Sequence, residues 1–355
     1  MTHNFYAGPA ILPQEVFQKS AEAVINFEGT GLSILEISHR SKEFSAVMEN
    51  AEQLVVELLE IPDNYKVLFL TGGASSQFFM APMNLLKSNE SAGYVDTGSW
   101  STKAIKEANH FGNVELVATS KDTNYTYIPK ILDINPNYKY LHITTNNTIF
   151  GTQYQIIPNT NIPLVADMSS EIFSRKLDIN KYDLIYAGAQ KNLGPAGVTL
   201  AIVNKEKLGK VDRDIPTMLD YQTHIKKDSS FNTPPVFPIY ASMLSLEWLK
   251  NNGGIDAAAK RNDEKASLLY DAIDQSKLFN SPIAKEDRSK MNVVFTFENK
   301  DLESEFLKDC DTANCVGIKG HRSVGGFRAS IYNAMPRESV EVLADVIQNF
   351  DRKHG

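Results

Sequence analysis

"LIYAGAQKNLGPAGVTL", residues 184–200, places one lysine between two apolar runs. Tyr182 to Ala189 fits a buried strand, because Leu184, Ile185, Tyr186 and Ala187 form a short apolar run with polar neighbours. Gln190-Lys191-Asn192 interrupts it, Gly194-Pro195 turns the chain, and Ala196 to Val203 is apolar again. Most lysines are solvated and need no such setting. Taken alone, Lys191 reads as a surface charge at a strand end. Whether it is more depends on what the rest of the chain brings to it.

The same rhythm extends outward. Ala46 to Leu59 has helical spacing, Lys66 to Leu70 is strand-like, and Gln77 to Leu86 is helical again. Tyr94-Val95, Tyr140 to Ile143 and Pro163 to Ala166 are further strand candidates. Alternation of this kind predicts an α/β fold, a large domain whose mainly parallel sheet is flanked by helices. After Gly253-Gly254 come a helix (Ile255 to Ile273), a strand (Asn292 to Phe297), another helix, a strand (Gly326 to Ile331) and a terminal helix from Arg337 to Phe350. That part reads as a smaller α+β domain. The expected division is residues 11–254 for the large domain, with 1–10 and 255–355 forming the small one.

With 355 residues, two domains are the expectation. A hydrophobic content of 42% and a charged content of 22% are those of a globular chain. The net charge of −7 argues against nucleic acid as a partner. Apolar stretches such as Val67 to Leu70 are strand-sized, so no membrane span is expected. The first residues carry no secretory signal pattern, and the only cysteines, Cys310 and Cys315, make neither a disulfide framework nor a zinc site. A reducing cytoplasm is the expected location. In so acidic a chain, local basic clusters stand out: His39-Arg40, and His321-Arg322 followed by Arg328.

Four weak signals gain force from their order. Thr71-Gly72-Gly73-Ala74-Ser75-Ser76 follows a strand and opens a helix, which leaves backbone N–H groups bare for a phosphate. A tight turn with a serine cap is the plain alternative. Trp100 stands just beyond the Tyr94-Val95 strand, where ordinary packing is also open to it. Asp167 ends an apolar strand, as a ligand-facing carboxylate or as a helix cap supported by Glu171. Lys191 ends another. Pyridoxal phosphate requires just such a set: an anion cradle, a stacking face, a carboxylate for the ring nitrogen and a Schiff-base lysine.

The motifs "NFYAGPAILPQEV", "ISHRS", "GGASSQF", "DTGSWS", "ADMSSEIFSR", "AGAQKNLGPAG", "FNTPP", "MNVVF" and "GHRSVGGFRASIYNAMP" span nearly the whole chain. On them the chain resembles the phosphoserine aminotransferase family, within the class V group of fold-type I pyridoxal-phosphate enzymes. The resemblance implies reversible amino transfer from glutamate to 3-phosphohydroxypyruvate in serine biosynthesis, in two half-reactions through pyridoxamine phosphate. A phosphorylated hydroxythreonine step in pyridoxine biosynthesis is a second candidate reaction. It also implies a homodimer with shared sites and small-molecule substrates.

By the same resemblance, Lys191 anchors the cofactor and moves the proton, and Asp167 pairs with the ring nitrogen. Trp100 stacks on the ring and Thr148 serves the ring hydroxyl. Ala74, Ser75, Ser169 and Gln190 hold the phosphate, with Asn232 and Thr233 from the other subunit. Arg328 clamps the α-carboxylate, while His39, Arg40, His321 and Arg322 surround the distal anion, in part from the neighbouring subunit. Some members carry Arg where this chain has Ser75. Such cations suit dianionic substrates, because arginine presents a planar fork to carboxylate or phosphate.

Two rival readings remain at this stage. A cysteine desulfurase shares the cofactor but needs a nucleophilic cysteine, for which Cys315 is the candidate, although Val316 and Ile318 make its segment strand-like. A non-catalytic protein that kept only the phosphate pocket is the other.

Overall fold

The computed structural model describes residues 1–355. A two-residue strand, β1 (His3–Asn4), opens the chain. The strands β2 (Tyr65–Leu70), β3 (Ser91–Asp96), β4 (Asn113–Thr119), β5 (Leu141–Thr144), β6 (Leu164–Asp167), β7 (Tyr182–Gly188) and β8 (Thr199–Asn204) form one seven-stranded sheet in the order β2-β8-β7-β6-β5-β3-β4. Strand β8 alone runs against the rest.

Every residue of β7 is buried, and its side chains alternate between two cores. Tyr182, Ile185 and Ala187 join a core of 45 buried residues on one face. Leu184 and Tyr186 join a core of 19 on the other. Helices cover both faces, so the strand has no polar side to show and reads as a continuous apolar run. At about 25 cal/mol per Å² of apolar surface removed from water, these two cores are the main force holding the sheet.

Directionality decides where the chemistry collects. Because β2, β3, β5, β6 and β7 all point the same way, their carboxyl ends open along one edge of the sheet. The turns that follow them carry the glycine loop, Trp100, Thr148, Asp167 and Lys191.

Beyond the helix Val236–Asn251 lies the long helix Gly254–Asp274. Strands β9 (Phe279–Asn280), β10 (Asn292–Phe297), β11 (Cys315–Val316) and β12 (Phe327–Ser330) follow, with the helices Glu303–Thr312 and Arg337–His354. Strands β12, β10 and β9 make an antiparallel sheet in that order. Strand β1 pairs with β11, and Phe5 is buried in a third core of 23 residues otherwise drawn from residues 266–350. No helix is long and apolar enough to cross a membrane.

Candidate active site

The glycine loop differs from expectation in one respect. The helix after β2 begins at Gly73, four residues before Gln77, and its cap is Gly72, with no side chain capping it. Gly72 and Gly73 have φ values of 94° and 67°, a left-handed backbone that glycine adopts without strain. A Cβ on Gly72 would meet the Ser76 Oγ at 1.9 Å. The chain therefore turns from strand to helix with no serine cap, and the first-turn N–H groups of Gly73, Ala74 and Ser75 are left for an anion at the positive end of the helix.

A cavity of about 590 Å³ lies in front of this turn. Its wall includes Gly73, Ala74, Ser75, Trp100, Thr148, Asp167, Ser169, Gln190, Lys191, His321, Arg322 and Arg328. Asp167 is the only acidic residue of the wall, against the cationic side chains of Lys103, Lys191, Arg322 and Arg328. In a chain of net charge −7, that concentration of positive charge marks an anionic ligand.

Asp167 ends β6 and is buried. The Ser169 N–H donates to its Oδ1 at 2.9 Å, and no helix follows it. Glu171 is occupied elsewhere, accepting from Gln153 and Arg175, so the helix-cap alternative for Asp167 does not hold. Burial raises the Asp167 carboxyl above its ordinary value, opposed by Ser169 and by the positive charge of Lys191.

Lys191 is 8% exposed, and its Nζ donates to Thr148 Oγ1 at 2.7 Å. Burial pushes its ammonium down to about 8, against the pull of Asp167 and with Arg328 adding to the fall. It is not a solvated strand-end charge. A lysine with that pKa is in large part neutral in mildly alkaline solution, the state a nucleophilic amine needs. Its Nζ stands 5.8 Å from the centroid of the Trp100 ring.

Arg328 reaches the cavity from β12. Its Nη1 donates to the Thr148 carbonyl at 3.2 Å, while its buried Nε has no partner. Behind β12, the buried Lys265 ammonium donates to the carbonyls of Ile331, Tyr332 and Met335 at 3.0, 2.6 and 3.2 Å. Those three bonds saturate its donors and hold the turn that follows the Arg328 strand.

Fit to pyridoxal phosphate can be judged from groups left unpaired. The buried Trp100 Nε1, Thr144 Oγ1 and Arg328 Nε have no hydrogen-bond partner, and all three residues line the cavity. Buried polar groups are normally satisfied, so this wall is built for a polar ligand. The bare helix turn suits its phosphate, Trp100 its ring face, Asp167 its ring nitrogen and Lys191 its aldehyde.

Four expected residues lie outside the cavity wall. Arg40 and Thr233 are exposed and His39 and Asn232 half-buried, none of them lining it. The chain's own His321 and Arg322 do line it. Sequence reasoning missed Ala7, Gly8, Lys103 and Asn146, which also line it. Gly8 comes within 3.6 Å of the Lys191 side chain at an added Cβ, and the Ala10 N–H donates to the Gln190 carbonyl at 2.9 Å. The signal for that segment was the "YAGPA" motif, quoted for resemblance alone.

The two cysteines sit apart from this cavity, and both are buried. Burial pushes the Cys315 thiol up to about 11 and the Cys310 thiol higher still. Neither is a mobile nucleophile, which removes the support for a desulfurase.

The family described as aminotransferase class-V matches residues 2–343. A phosphoserine aminotransferase of Parabacteroides distasonis is 59% identical over 354 residues, covering 99% of both chains. One from Bacteroides thetaiotaomicron is 55% identical over 354 residues, with 99% of each chain covered. The solved phosphoserine aminotransferase of Bacillus circulans subsp. alkalophilus superposes with a TM-score of 0.96 at 46% identity, covering 100% of this chain and 99% of that one. The structure of pyridoxal-phosphate-bound phosphoserine aminotransferase from Trichomonas vaginalis gives 0.93 at 35% identity, covering 98% of this chain and 100% of that one. With a matching profile over nearly the whole chain and a cavity built around Lys191 and Asp167, this protein belongs to the class V aminotransferases.

Proposed function

We propose that the chain transfers an amino group between O-phosphoserine and 2-oxoglutarate, reversibly, with pyridoxal phosphate as cofactor. The observation that carries this reading is the charge pattern of the cavity: one carboxylate facing a lysine whose ammonium is pushed down to about 8, ringed by further cations. An amino acid with a second, doubly charged anion fits that ring better than a neutral side chain.

When bound, the cofactor supplies an aldehyde and an electron-withdrawing ring. The residues do the rest. Lys191 would be the covalent anchor and then carry a proton from the substrate Cα, since burial lowers its ammonium to about 8 and eases the loss of that proton. Asp167 would hold the proton on the ring nitrogen. Trp100 would cover a ring face, and Thr148, hydrogen-bonded to Lys191 Nζ, orients that amine. Arg328 has one N–H engaged by Thr148 and keeps its other guanidinium donors for an α-carboxylate. Ala74, Ser75, Ser169 and Gln190 form the phosphate end.

The working unit in this reading is a cytoplasmic homodimer. His39, Arg40, Asn232 and Thr233 would complete the neighbour's site, because they lie outside their own. Leu32, Leu35 and Phe231, near them in sequence, are 48%, 64% and 40% exposed, apolar side chains that a second copy would cover. Residues 11–254 form the cofactor-binding domain in this reading, and 1–10 with 255–355 the small one. The pairing of β1 with β11 and the burial of Phe5 support that division.

A coupled assay with 2-oxoglutarate as acceptor tests the function. Phosphoserine should be consumed with glutamate formed, and unphosphorylated serine should react at least ~100-fold less efficiently, about 3 kcal/mol in anion contacts. Equal efficiency for the two would reject phosphoserine as the substrate.

A further inference from the structure

Lys103 lies on the helix Ser99–Ala108, three residues after Trp100, and lines the cavity. Three residues make nearly one helical turn, so Lys103 and Trp100 share a helix face. Its Nζ stands 4.6 Å from the centroid of the Trp100 ring, and no carboxylate pairs with it. The side chain is solvent-exposed. An exposed lysine near a cavity is ordinarily a solubilising charge. This one is held over an aromatic ring at the cavity rim, a position that fixes a flexible ammonium at a cost in side-chain entropy.

Its neighbours show which end of the cavity it serves. The His321 imidazole is pushed below its ordinary value by burial and then by the charges of Arg328, Arg322 and Lys103. All four groups line the one cavity, although Lys103 comes from the helix Ser99–Ala108, His321 and Arg322 from the segment between β11 and β12, and Arg328 from β12 itself. Such crowding of like charges is unfavourable unless an anion occupies the space between them. The glycine-turn side of the cavity contributes Gly73, Ala74 and Ser75, none of them charged.

We propose that Lys103 is a substrate-binding residue, supplying the large lobe's cation to the distal phosphate of the substrate opposite His321 and Arg322. This rests on the phosphoserine reading above and adds to it a residue that the sequence motifs did not indicate. The lysine acts as a point charge with rotatable donors, where arginines on the far side act as forks. In the absence of substrate it rests on the Trp100 ring, and on binding it turns toward the phosphate.

The test compares Lys103→Met, Lys103→Arg and the unaltered holoenzyme. Calorimetric titration with inorganic phosphate reads the distal anion site directly, because the cofactor phosphate already fills the other. Lys103→Met should weaken inorganic phosphate about tenfold and raise the KM for phosphoserine by a similar factor, the scale of one charge-assisted hydrogen bond at an exposed site. Glutamate, with a singly charged distal group, should lose about threefold or less on the same argument. Lys103→Arg should restore phosphate binding to within about threefold, since it keeps the charge. Unchanged phosphate affinity in Lys103→Met would overturn the proposal. A fall in kcat for both amino acids with phosphate affinity intact would overturn it too, placing Lys103 as a prop for Trp100. If the unaltered enzyme itself fails to prefer phosphoserine over serine, the substrate reading fails, whatever Lys103 does to inorganic phosphate.

Discussion

Replacing Arg328 with alanine isolates the grip on the substrate's α-carboxylate. In the structure one of its five N–H donors is used by the Thr148 carbonyl at 3.2 Å, and its Nε is buried without a partner. A carboxylate taking two of the remaining donors would form a forked, charge-assisted pair. Each such bond contributes about 1.5–3 kcal/mol, and the second adds less than the first because the ordering cost is shared. Arg328→Ala should therefore cost roughly 2–4 kcal/mol in transition-state binding, or about 30–1000-fold in kcat/KM. Both amino acids carry an α-carboxylate, so phosphoserine and glutamate should suffer alike. Arg328→Lys keeps the charge and loses the fork, and should fall between the two by about tenfold. The assay is steady-state kinetics in both directions, with circular dichroism of the bound cofactor to show that the site is still formed. A loss below about threefold for both substrates would refute the clamp. A loss confined to phosphoserine would move Arg328 to the distal phosphate.

Asp167→Asn keeps the turn accepted from the Ser169 N–H but removes the charge. Exchange of the substrate Cα hydrogen with deuterated solvent should slow by about 100-fold or more while cofactor binding persists, and unchanged exchange would contradict its role. A pH effect follows from Lys191. Its ammonium is pushed from 10.5 to about 8, so between those values the unfolded cofactor-free chain binds more protons than the folded one. Stability should therefore rise with pH across that window, and Lys191→Met should flatten the rise in denaturant titrations of the cofactor-free protein. The shared dimer site has a complementation test. Lys191→Ala and His39→Ala/Arg40→Ala proteins, each inactive, should regain activity after subunit exchange, because some mixed sites then carry neither lesion. No recovery after confirmed exchange would place His39 and Arg40 in their own chain's site.

Legibility tracked burial. Strand β7 and strand β10 were readable because fully covered strands are continuous apolar runs, and β10 appears at Asn292–Phe297 as expected. Strand β4 was not, since it lies at the sheet edge with Leu116 57% exposed and its pattern half polar. The helix Val236–Asn251 escaped for the opposite reason, being apolar around much of its circumference, so that no amphipathic stripe marks it. At the site, Trp100, Asp167 and Lys191 stood out only through their joint order at strand ends, because same-direction strands gather their carboxyl ends. Lys103 was not legible, because its helix, Ser99–Ala108, was not marked in the sequence, so its spacing of three from Trp100 placed it on no face. The helix of the glycine loop starts earlier than periodicity suggested, because two left-handed glycines replace the serine cap.

The most direct test of the whole account is a half-reaction. Cofactor-loaded protein is mixed with O-phospho-L-serine and no acceptor, and the phosphorylated 2-oxo acid is counted by rapid quench. One equivalent per site and then arrest is expected, with a rate at least ~10²–10⁴-fold lower in Lys191→Ala, where the proton carrier is gone. Formation of no 2-oxo acid, or release at the unaltered rate from Lys191→Ala, would contradict it.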